Sequence, residues 1–476
     1  MLLRNTKPIP DQHKFQTTDS WTDALPVCKQ SAVGSSTNQI YREDGSREEE
    51  HPFEDKSFHC IVNDSTYFYG VFDGHFGSKT ATFALQRMAA EILLGELSGK
   101  STDEEIKDVL RQAFFSVEKG YMDSIDSILA ERASLLYEIP DGLSSYEAYE
   151  KYPREMERLD LLNCELSSGT SAVIALIHNG KLYVANVGNC RALLCKTDVN
   201  SVLRVVQLSV DHDLRNEDEL LRLSQLGLNT DELKRGTVVG NQENTRCLGN
   251  FLVKGGYREF QSLSSATSEP VIAEPEILGG IVIDESCRCL LLMSDGLYKS
   301  LEEATSSDQV NKDIAQLVVS EFRVQSTLTG VAQAVVDKTV RVHHDFAMSV
   351  SGSVSVSKRD DITLLIRNFN FALPNAKQSP INPTVRFNPH VDAQTMNTLT
   401  SVNNSIINSI DTTISNSFQS DQTDPDTDPD PDHIDANQLT NNNNRRIPSY
   451  VDFSLYFKNV EIAKQNGTLP PGIDFD

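Results

Sequence analysis

The sequence predicts an α+β fold of antiparallel sheets with helices packed against their outer sides. Two apolar runs, 170–178 and 181–195, flank Asn179-Gly180, a pair typical of tight hairpin turns because both turn positions need positive φ. Further strand-like runs follow without the strict alternation of strand and helix that marks a parallel sheet. These runs lie in 204–210, 279–296 and 360–371.

Two helical segments supply the outer layers. The segment that begins at Thr102 opens with a capping box, in which Thr102 and Glu105 hydrogen-bond to each other's backbone N–H. A shorter amphipathic helix, DELLRLSQLGL, is predicted to end at Gly227. Apolar residues recur in the longer segment at helical spacing, namely Ile106, Val109, Leu110, Ala113, Phe114 and Val117.

Composition bounds the partners of the chain. It has 476 residues, of which 39% are hydrophobic, and a formal net charge of −25. The apolar content is sufficient for one large core or two domains. The negative charge argues against nucleic acids and anionic membrane surfaces as partners. No run approaches the roughly 18 apolar residues that a membrane helix needs.

The cysteines and the first residues predict a cytoplasmic location. The start, MLLRNTKPIPDQHKF, lacks the apolar region of a secretory signal. Eight cysteines are scattered along the chain without a CxxC pair or a zinc-ligand spacing. We therefore expect reduced thiols in the cytosol.

Composition also divides the chain near residue 370. We expect an N-terminal tail (1–20), a folded domain (21–370) and then a linker (371–445) rich in Asn, Ser, Thr, Pro and Asp. The linker has too few large apolar residues to offset chain entropy, so it is predicted to be disordered. Aromatic residues return in 446–460, which is either a short binding motif or a segment that folds back on the domain.

Acidic residues stand at the ends of four separate predicted strands. Any one of them alone is typical of a solvated turn, because Asp-Gly is a common turn pair. Together they are also the oxygen ligands that Mg²⁺ and Mn²⁺ prefer, and two such ions can support phosphoryl transfer. The residues are Glu43, Asp73, Asp295 and Asp360.

The order and flanks of these acids resemble the metal-dependent protein serine/threonine phosphatase (PPM) family over roughly residues 21–370. That family folds as an α-β-β-α sandwich, two antiparallel sheets flanked by helices, and the resemblance implies the same fold here. Eight segments carry it in family order: FDGHFG, SGTSAVIAL, ANVGNCRALL, VDHDLRNEDELLRL, TRCLGN, VIAEPEI, MSDGLYK and KRDDITLLI.

The resemblance also implies roles for individual residues. One or two Mg²⁺ or Mn²⁺ ions would be held by four carboxylates and one backbone carbonyl. His75 matches the general acid, a task that suits an imidazole that titrates near neutral pH. Arg246 matches a candidate phosphate-binding residue. The implied metal ligands are Glu43, Asp73, Gly74, Asp295 and Asp360.

Three departures from the family pattern bear on catalysis. The family places a phosphate-binding Arg five residues before the second acid of a Glu-Asp pair, and here that position is Gln39. A neutral amide replaces a charged, bidentate donor. Asn189 and Lys299 replace acids that help to hold a third metal in active relatives. These changes predict little or no hydrolysis.

The C-terminal segment PSYVDFSLYF, residues 448–457, resembles the end of a pseudophosphatase branch of the same family. That branch binds and activates a TGF-β-activated MAP kinase kinase kinase, which is the partner implied here. Tyr450, Phe453 and Phe457 are spaced to share one helical face, with Val451 and Leu455 beside it. The linker is a candidate site for other signalling proteins.

Two hypotheses of function therefore stay open. The first is a regulatory adaptor that activates the kinase through 448–457 and carries a phosphatase-like domain with little or no catalysis. The second is an active Mn²⁺- or Mg²⁺-dependent serine/threonine phosphatase, because the four core carboxylates are present. A manganese-dependent assay on a phosphopeptide separates them.

Overall fold

The computed structural model describes residues 20–42, 46–97, 99–140, 142–350 and 358–374. The chain divides into two units, 1–389 and 390–476, and every described residue belongs to the first. Most of the predicted linker and all of the predicted 446–460 motif therefore lie outside the described residues. No helix in the described ranges is both long and apolar enough to cross a membrane.

Fourteen strands are present in the described residues. In chain order they are β1 (Ser31–Ser36), β2 (Gln39–Tyr41), β3 (Arg47–Glu48), β4 (Lys56–Asn63), β5 (Thr66–His75), β6 (Gly169–His178), β7 (Lys181–Val187), β8 (Arg191–Thr197), β9 (Leu203–Gln207), β10 (Leu248–Gly249), β11 (Glu276–Val282), β12 (Cys287–Met293), β13 (Lys358–Arg359) and β14 (Ile362–Asn368).

The described α-helices number ten, and a π-helical turn, Ile92–Glu96, extends the first of them. They are α1 (Lys79–Glu91), α2 (Asp103–Ser124), α3 (Asp126–Glu138), α4 (Ser145–Lys151), α5 (Pro153–Leu166), α6 (Glu217–Gln225), α7 (Thr230–Gly236), α8 (Asp295–Thr305), α9 (Val310–Phe322) and α10 (Leu328–Val350).

The strands form two large sheets and one small sheet. The first has the order β1-β14-β12-β8-β9, and the second has the order β11-β7-β6-β5-β4 with β10 added beside β6. β13, β2 and β3 make the small sheet. Neighbouring strands pair antiparallel throughout the three sheets. The predicted antiparallel α+β class is therefore confirmed.

Three apolar layers show how the sheets are covered. One lies between the second sheet and α1–α2, with Phe68 and Phe72 of β5 in it. Another lies between the first sheet and α8–α10. The layer between the two sheets contains Tyr69 and Val71, the β5 residues that alternate with the two phenylalanines. This is the predicted α-β-β-α sandwich.

Local sequence signals predicted several elements correctly. Asn179 and Gly180 have φ of 51° and 76°, so the β6–β7 turn has the positive φ at both positions that the pair predicted. The capping box between Thr102 and Glu105 is formed. The single helical segment predicted from Thr102 is two helices, α2 and α3, separated at Ile125.

The edge where β4 begins and β5 ends positions the candidate site. β4 and β5 form a hairpin in which Lys56 pairs with Phe72. Asp55 and Asp73 are the next residues on either side of that pair, so the hairpin register places them at the same edge of the sheet. β5 continues two residues past Asp73 to His75 rather than ending there.

Candidate metal and phosphate site

Four carboxylates from separate elements meet at this edge. Asp73 lies near the end of β5, and Asp295 is the first residue of α8. Asp360 and Asp55 stand just before β14 and β4. The backbone N–H of Asp295 donates to Asp73 Oδ2 at 3.4 Å. The predicted trio of Asp73, Asp295 and Asp360 is thus brought together by the fold.

The carboxylates of this cluster repel one another, and this repulsion changes their pKa values. Burial raises the pKa of Asp73 well above its usual value, and the nearby carboxylates of Asp295, Asp55 and Asp360 raise it further. Burial and the charge of Asp295 likewise raise the pKa of Asp360 to about 6. Carboxylates in one poorly solvated site disfavour each other's ionisation, so the cluster calls for a positive charge.

Asp55 is the member that sequence analysis missed. Its burial raises its pKa to about 8, although the Thr363 and Ser294 hydroxyls beside it partly oppose the shift. Both carboxylate oxygens are buried, and among the described residues neither accepts a hydrogen bond of normal distance and angle, so the two hydroxyls are only neighbours of the group. The sequence does contain a second Glu-Asp pair at Glu54-Asp55, but the pairing of the strand that follows it with the Asp73 strand is known only from the structure.

Glu54 fixes the position of Asp55. Its backbone N–H donates to Asp361 Oδ2 at 2.8 Å, and its Oε1 accepts from the Gly77 N–H at 2.9 Å. A Cβ on Gly74 would lie 2.8 Å from the Glu54 carbonyl oxygen, so glycine is required for this close approach. Glu43, the acid predicted for this position, lies outside the described residues, and its role as a ligand stays a prediction.

His75 lies next to the cluster with its imidazole poorly solvated. Burial lowers its pKa to about 4, so the ring is neutral at pH 7. Its Nε2 has no hydrogen-bond partner among the described residues. A Cβ on Gly169 of the adjacent strand would lie 2.4 Å from that nitrogen. The general-acid role of His75 stays a prediction.

Asp295 differs from the other three acids because a lysine ammonium and a side-chain amide contact the same one of its oxygens. Asn189 Nδ2 donates to Asp295 Oδ2 at 2.7 Å, and Lys299 Nζ lies 2.8 Å from the same oxygen. Lys299 also reaches Glu243 Oε2 at 2.7 Å. Burial alone would lower the pKa of Lys299, but the Asp295 and Glu243 carboxylates outweigh it and raise the pKa.

The two predicted phosphate-site residues make other contacts. Gln39 Nε2 donates to Thr37 Oγ1 at 3.4 Å. Arg246 donates through Nε and Nη2 to Glu219 Oε1, at 2.9 and 2.6 Å, and through Nη1 to the Glu274 carbonyl at 3.0 Å. Glu219 thus accepts from two of the three donor nitrogens of Arg246. A phosphate-binding role for Arg246 stays a prediction.

Comparison with known proteins identifies the family to which this fold belongs. Residues 33–343, more than half of the chain, match the Protein phosphatase 2C family. The chain belongs to the protein phosphatase 2C family. The resemblance to metal-dependent phosphatases is therefore confirmed at the level of the family.

Individual relatives of the protein phosphatase 2C domain are distant. The chain is 26% identical over 399 residues to "TGF-beta-activated kinase 1 and MAP3K7-binding protein 1" of Caenorhabditis elegans, covering 80% of this chain and 95% of that protein. It is 25% identical over 295 residues to "Protein phosphatase 2C 1" of Paramecium tetraurelia, covering 62% and 84%. The solved serine-threonine phosphatase 2C of Toxoplasma gondii aligns at 18% identity with a TM-score of 0.42, covering 72% and 96%.

The protein phosphatase 2C family is metal-dependent, so the cluster can be tested for its fit to a divalent cation. Within the described ranges, no group of three or more His, Cys, Asp or Glu side chains is arranged to hold a metal ion. Asp55 nevertheless has two buried oxygens without a partner, which fits a cation on the Asp55–Asp73–Asp360 side. The Asp295 side does not fit one, because Lys299 already supplies a positive charge there.

The position of the protein phosphatase 2C phosphate-binding Arg holds no Arg under either assignment of the acid pair. If the pair is Glu43-Asp44, the position is Gln39. If it is Glu54-Asp55, the same spacing gives Glu50, whose Oε1 lies 3.0 Å from Lys358 Nζ. A Gln supplies no charge and a Glu repels a phosphate dianion.

Proposed function

We propose that this chain is a regulatory adaptor whose protein phosphatase 2C domain has little or no catalytic activity. Its partner is a TGF-β-activated MAP kinase kinase kinase, which it binds and activates through residues 448–457. The observation that carries the proposal is that two protein donors, Asn189 and Lys299, satisfy Asp295 Oδ2. In a working site of this family a metal would be expected to use that carboxylate.

The kinase half of the proposal is supported by similarity. The relative that is named for binding a TGF-β-activated kinase aligns over 399 residues, whereas the Paramecium phosphatase aligns over 295. The alignment covers 95% of the kinase-binding relative, so little of that protein lacks a counterpart here. Similarity confined to the phosphatase domain does not account for the greater length of the alignment with the kinase-binding relative.

The docking residues follow from the sequence of the C-terminal segment. Three aromatic side chains spaced by three and four residues would form one stripe on a helix, and two aliphatic side chains flank it. Such a stripe suits a hydrophobic groove on a partner protein. We assign docking to Tyr450, Val451, Phe453, Leu455 and Phe457, all of which lie outside the described residues.

The same proposal includes a single divalent cation, Mg²⁺ or Mn²⁺, rather than two. Asp55, Asp73 and Asp360 would hold it, because their charges oppose one another and Asp55 has two unpartnered oxygens. Hard cations of this kind prefer carboxylate and water oxygens. When bound, the ion would neutralise the carboxylates and could polarise a phosphate oxygen. Asp73 and Asp360 would keep their predicted ligand roles.

The domain boundaries and the cellular location belong to the proposal as well. The phosphatase-like domain would end near residue 370, and the linker 371–445 would separate it from the docking segment. Phe371, at this boundary, stacks on Phe322 with ring centroids 4.7 Å apart. The eight cysteines are free and seven of them are buried, which supports a reducing, cytoplasmic location.

Kinase activation in a purified system tests the adaptor function. The full chain should bind the kinase catalytic domain and stimulate its autophosphorylation, and deletion of residues 446–476 should abolish both effects. Deletion of 390–420, which removes linker of similar length, is the control and should leave both effects intact. If the 446–476 deletion still binds and activates the kinase, the docking assignment is wrong.

A phosphatase assay on the same proteins tests the alternative. Wild-type chain is expected to hydrolyse a phosphothreonine peptide slowly or not at all with Mn²⁺ present. Rapid Mn²⁺-dependent turnover by the wild-type chain would instead establish an active phosphatase, whatever the result of the kinase experiment.

A further inference from the structure

The contacts of Lys299 distinguish it from an ordinary surface lysine. Helical pairs four residues apart are common and usually contribute little when both side chains are solvated. Here Asp295 is only 8% exposed, and its Oδ2 also accepts from the buried amide of Asn189. Glu243, from a loop outside α8, holds the ammonium from a second direction at 2.7 Å.

Asn189 is itself held in place for this contact. Its Oδ1 accepts from Ser171 Oγ at 3.3 Å and from Asn244 Nδ2 at 3.1 Å, which leaves Nδ2 to face Asp295. A carboxylate at position 189 would place a negative group against Asp295, whereas the amide places a donor there. Two replacements that are far apart in sequence therefore act on the same oxygen atom.

An ammonium group can take over part of what a metal ion does in such a site. It offers three donors and a full positive charge, and it can satisfy more than one carboxylate at once. It also opposes a divalent cation at the same oxygen, because like charges repel strongly where solvent is scarce. The acid cluster then has a positive charge at this position from the protein itself and does not need a metal ion from solution there.

We propose that Lys299, held between Asp295 and Glu243, is a built-in cation that replaces a divalent metal ion at Asp295. The site on this side of the cluster is thus closed to metal in the wild-type chain, and changing Asn189 and Lys299 together opens it. The inference deepens the proposed single-ion site and rests on it only for the identity of the carboxylates. Lys299 is a positioning and charge-balancing residue, with no role in bond breaking.

Counting bound manganese tests this inference. The electron paramagnetic resonance signal of free Mn²⁺ gives the number of ions that the full-length chain binds. The double variant Asn189→Asp/Lys299→Asp should bind one more Mn²⁺ per chain than wild type. Lys312→Asp, on the exposed surface of α9, makes the same charge change as Lys299→Asp and should bind the same number as wild type.

The outcomes separate this inference from the single-ion proposal. Zero ions in wild type and one in the double variant would support the role of Lys299 and reject the single-ion site. Equal numbers in wild type and the double variant, or two ions in wild type, would overturn the role of Lys299.

A milder variant keeps the inference falsifiable if the double variant does not fold. Lys299→Met keeps a long, unbranched side chain but removes its charge, so Asp295 loses its cation. In EDTA this variant should melt roughly 2–4 °C below wild type, and Mn²⁺ should raise its melting temperature more than that of wild type. A Mn²⁺-induced shift equal to that of wild type would contradict the proposal.

Discussion

Asn189 Nδ2 donates to Asp295 Oδ2 at 2.7 Å, a contact between β8's preceding loop and the first residue of α8. Both side chains are buried. The contact is attractive because an amide faces a carboxylate, whereas two carboxylates here would need a metal ion between them. The residue type at position 189 thus decides whether this contact with Asp295 is attractive or repulsive.

Restoring the acids and the phosphate-binding Arg of the family should therefore restore part of the phosphatase activity. In an Asn189→Asp/Lys299→Asp background, adding an Arg at the phosphate position should raise Mn²⁺-dependent hydrolysis of a phosphothreonine peptide at least about tenfold. A charge-assisted contact to the reacting phosphate is worth about 2–4 kcal/mol in such sites. Initial rates measured with and without Mn²⁺ give the gain.

The position of that Arg distinguishes the two assignments of the acid pair. Glu50→Arg should give the gain if Glu54-Asp55 is the functional pair, and Gln39→Arg should give it if Glu43-Asp44 is. We expect Glu50→Arg to be the better variant, since Asp55 lies in the cluster. No gain from either would reject the phosphate-site interpretation.

The response of stability to manganese should depend on Asp55. Mn²⁺ that binds the folded domain raises its melting temperature, and the rise grows with the logarithm of the affinity. Asp55→Asn should abolish that shift, because it removes the carboxylate with two unpartnered oxygens. Glu43→Gln is the matched control and should keep the shift. A shift lost in Glu43→Gln and kept in Asp55→Asn would restore the assignment made from sequence.

The ion pair between Glu219 and Arg246 should make stability depend on acid pH. Burial disfavours the Glu219 carboxylate, but hydrogen bonds from Arg246 and Arg222 outweigh it and lower its pKa from 4.5 to about 2. The stabilisation is therefore fully present above pH 4.5 and is lost as the pH falls towards 2. Its size is on the order of 3 kcal/mol.

Thermal unfolding from pH 7 to pH 3 tests this dependence. Glu219→Gln should lower the melting temperature by several degrees at pH 7, and its difference from wild type should shrink below pH 4.5. Glu217→Gln changes an exposed residue of the same helix and should match wild type at every pH. A Glu219→Gln difference that does not vary with pH would show that the ion pair is not the cause.

Gly296 should be intolerant of any side chain. It follows Asp295 at the start of α8, and a Cβ there would lie 2.0 Å from the Asp361 carbonyl oxygen. Gly296→Ala must push β14 and α8 apart, at a cost of about 2 kcal/mol or more. Gly236→Ala is the control, because no atom lies within 4 Å of its added Cβ. Denaturant unfolding of both variants measures the difference, and an equal cost would contradict the close approach.

Docking on the kinase should depend on one aromatic ring in particular. Phe453→Ala removes the central member of the proposed stripe and should weaken binding by about 2 kcal/mol or more, as for a buried aromatic hot spot. Isothermal titration with the kinase catalytic domain measures the loss. Phe418→Ala, in the polar linker, should bind as wild type does. Equal affinities for the two variants would argue against the stripe.

The parts of this protein that depend on near neighbours along the chain can be predicted from the sequence alone. The φ angles at Asn179-Gly180 and the capping box at Thr102 are set by residues one to three positions apart. The alternation of Phe68 and Phe72 with Tyr69 and Val71 likewise assigns each to one face of a strand. Such signals were enough to predict antiparallel sheets with helices outside them. The resemblance to the family supplied the sandwich and the ligand roles of Asp73, Asp295 and Asp360, and those roles stay predictions.

Which distant groups share a site became known from the three-dimensional fold. Asp55 lies in the acid cluster because the β4–β5 register places it beside Asp73, and Arg246 pairs with Glu219 across 27 residues. Lys299 contacts Glu243, which lies 56 residues away in the sequence. Helix periodicity predicts the Asp295–Lys299 spacing but not this second contact, which comes from a loop. Electrostatic partners are set by distances in space, and sheet register and loop paths fix those distances.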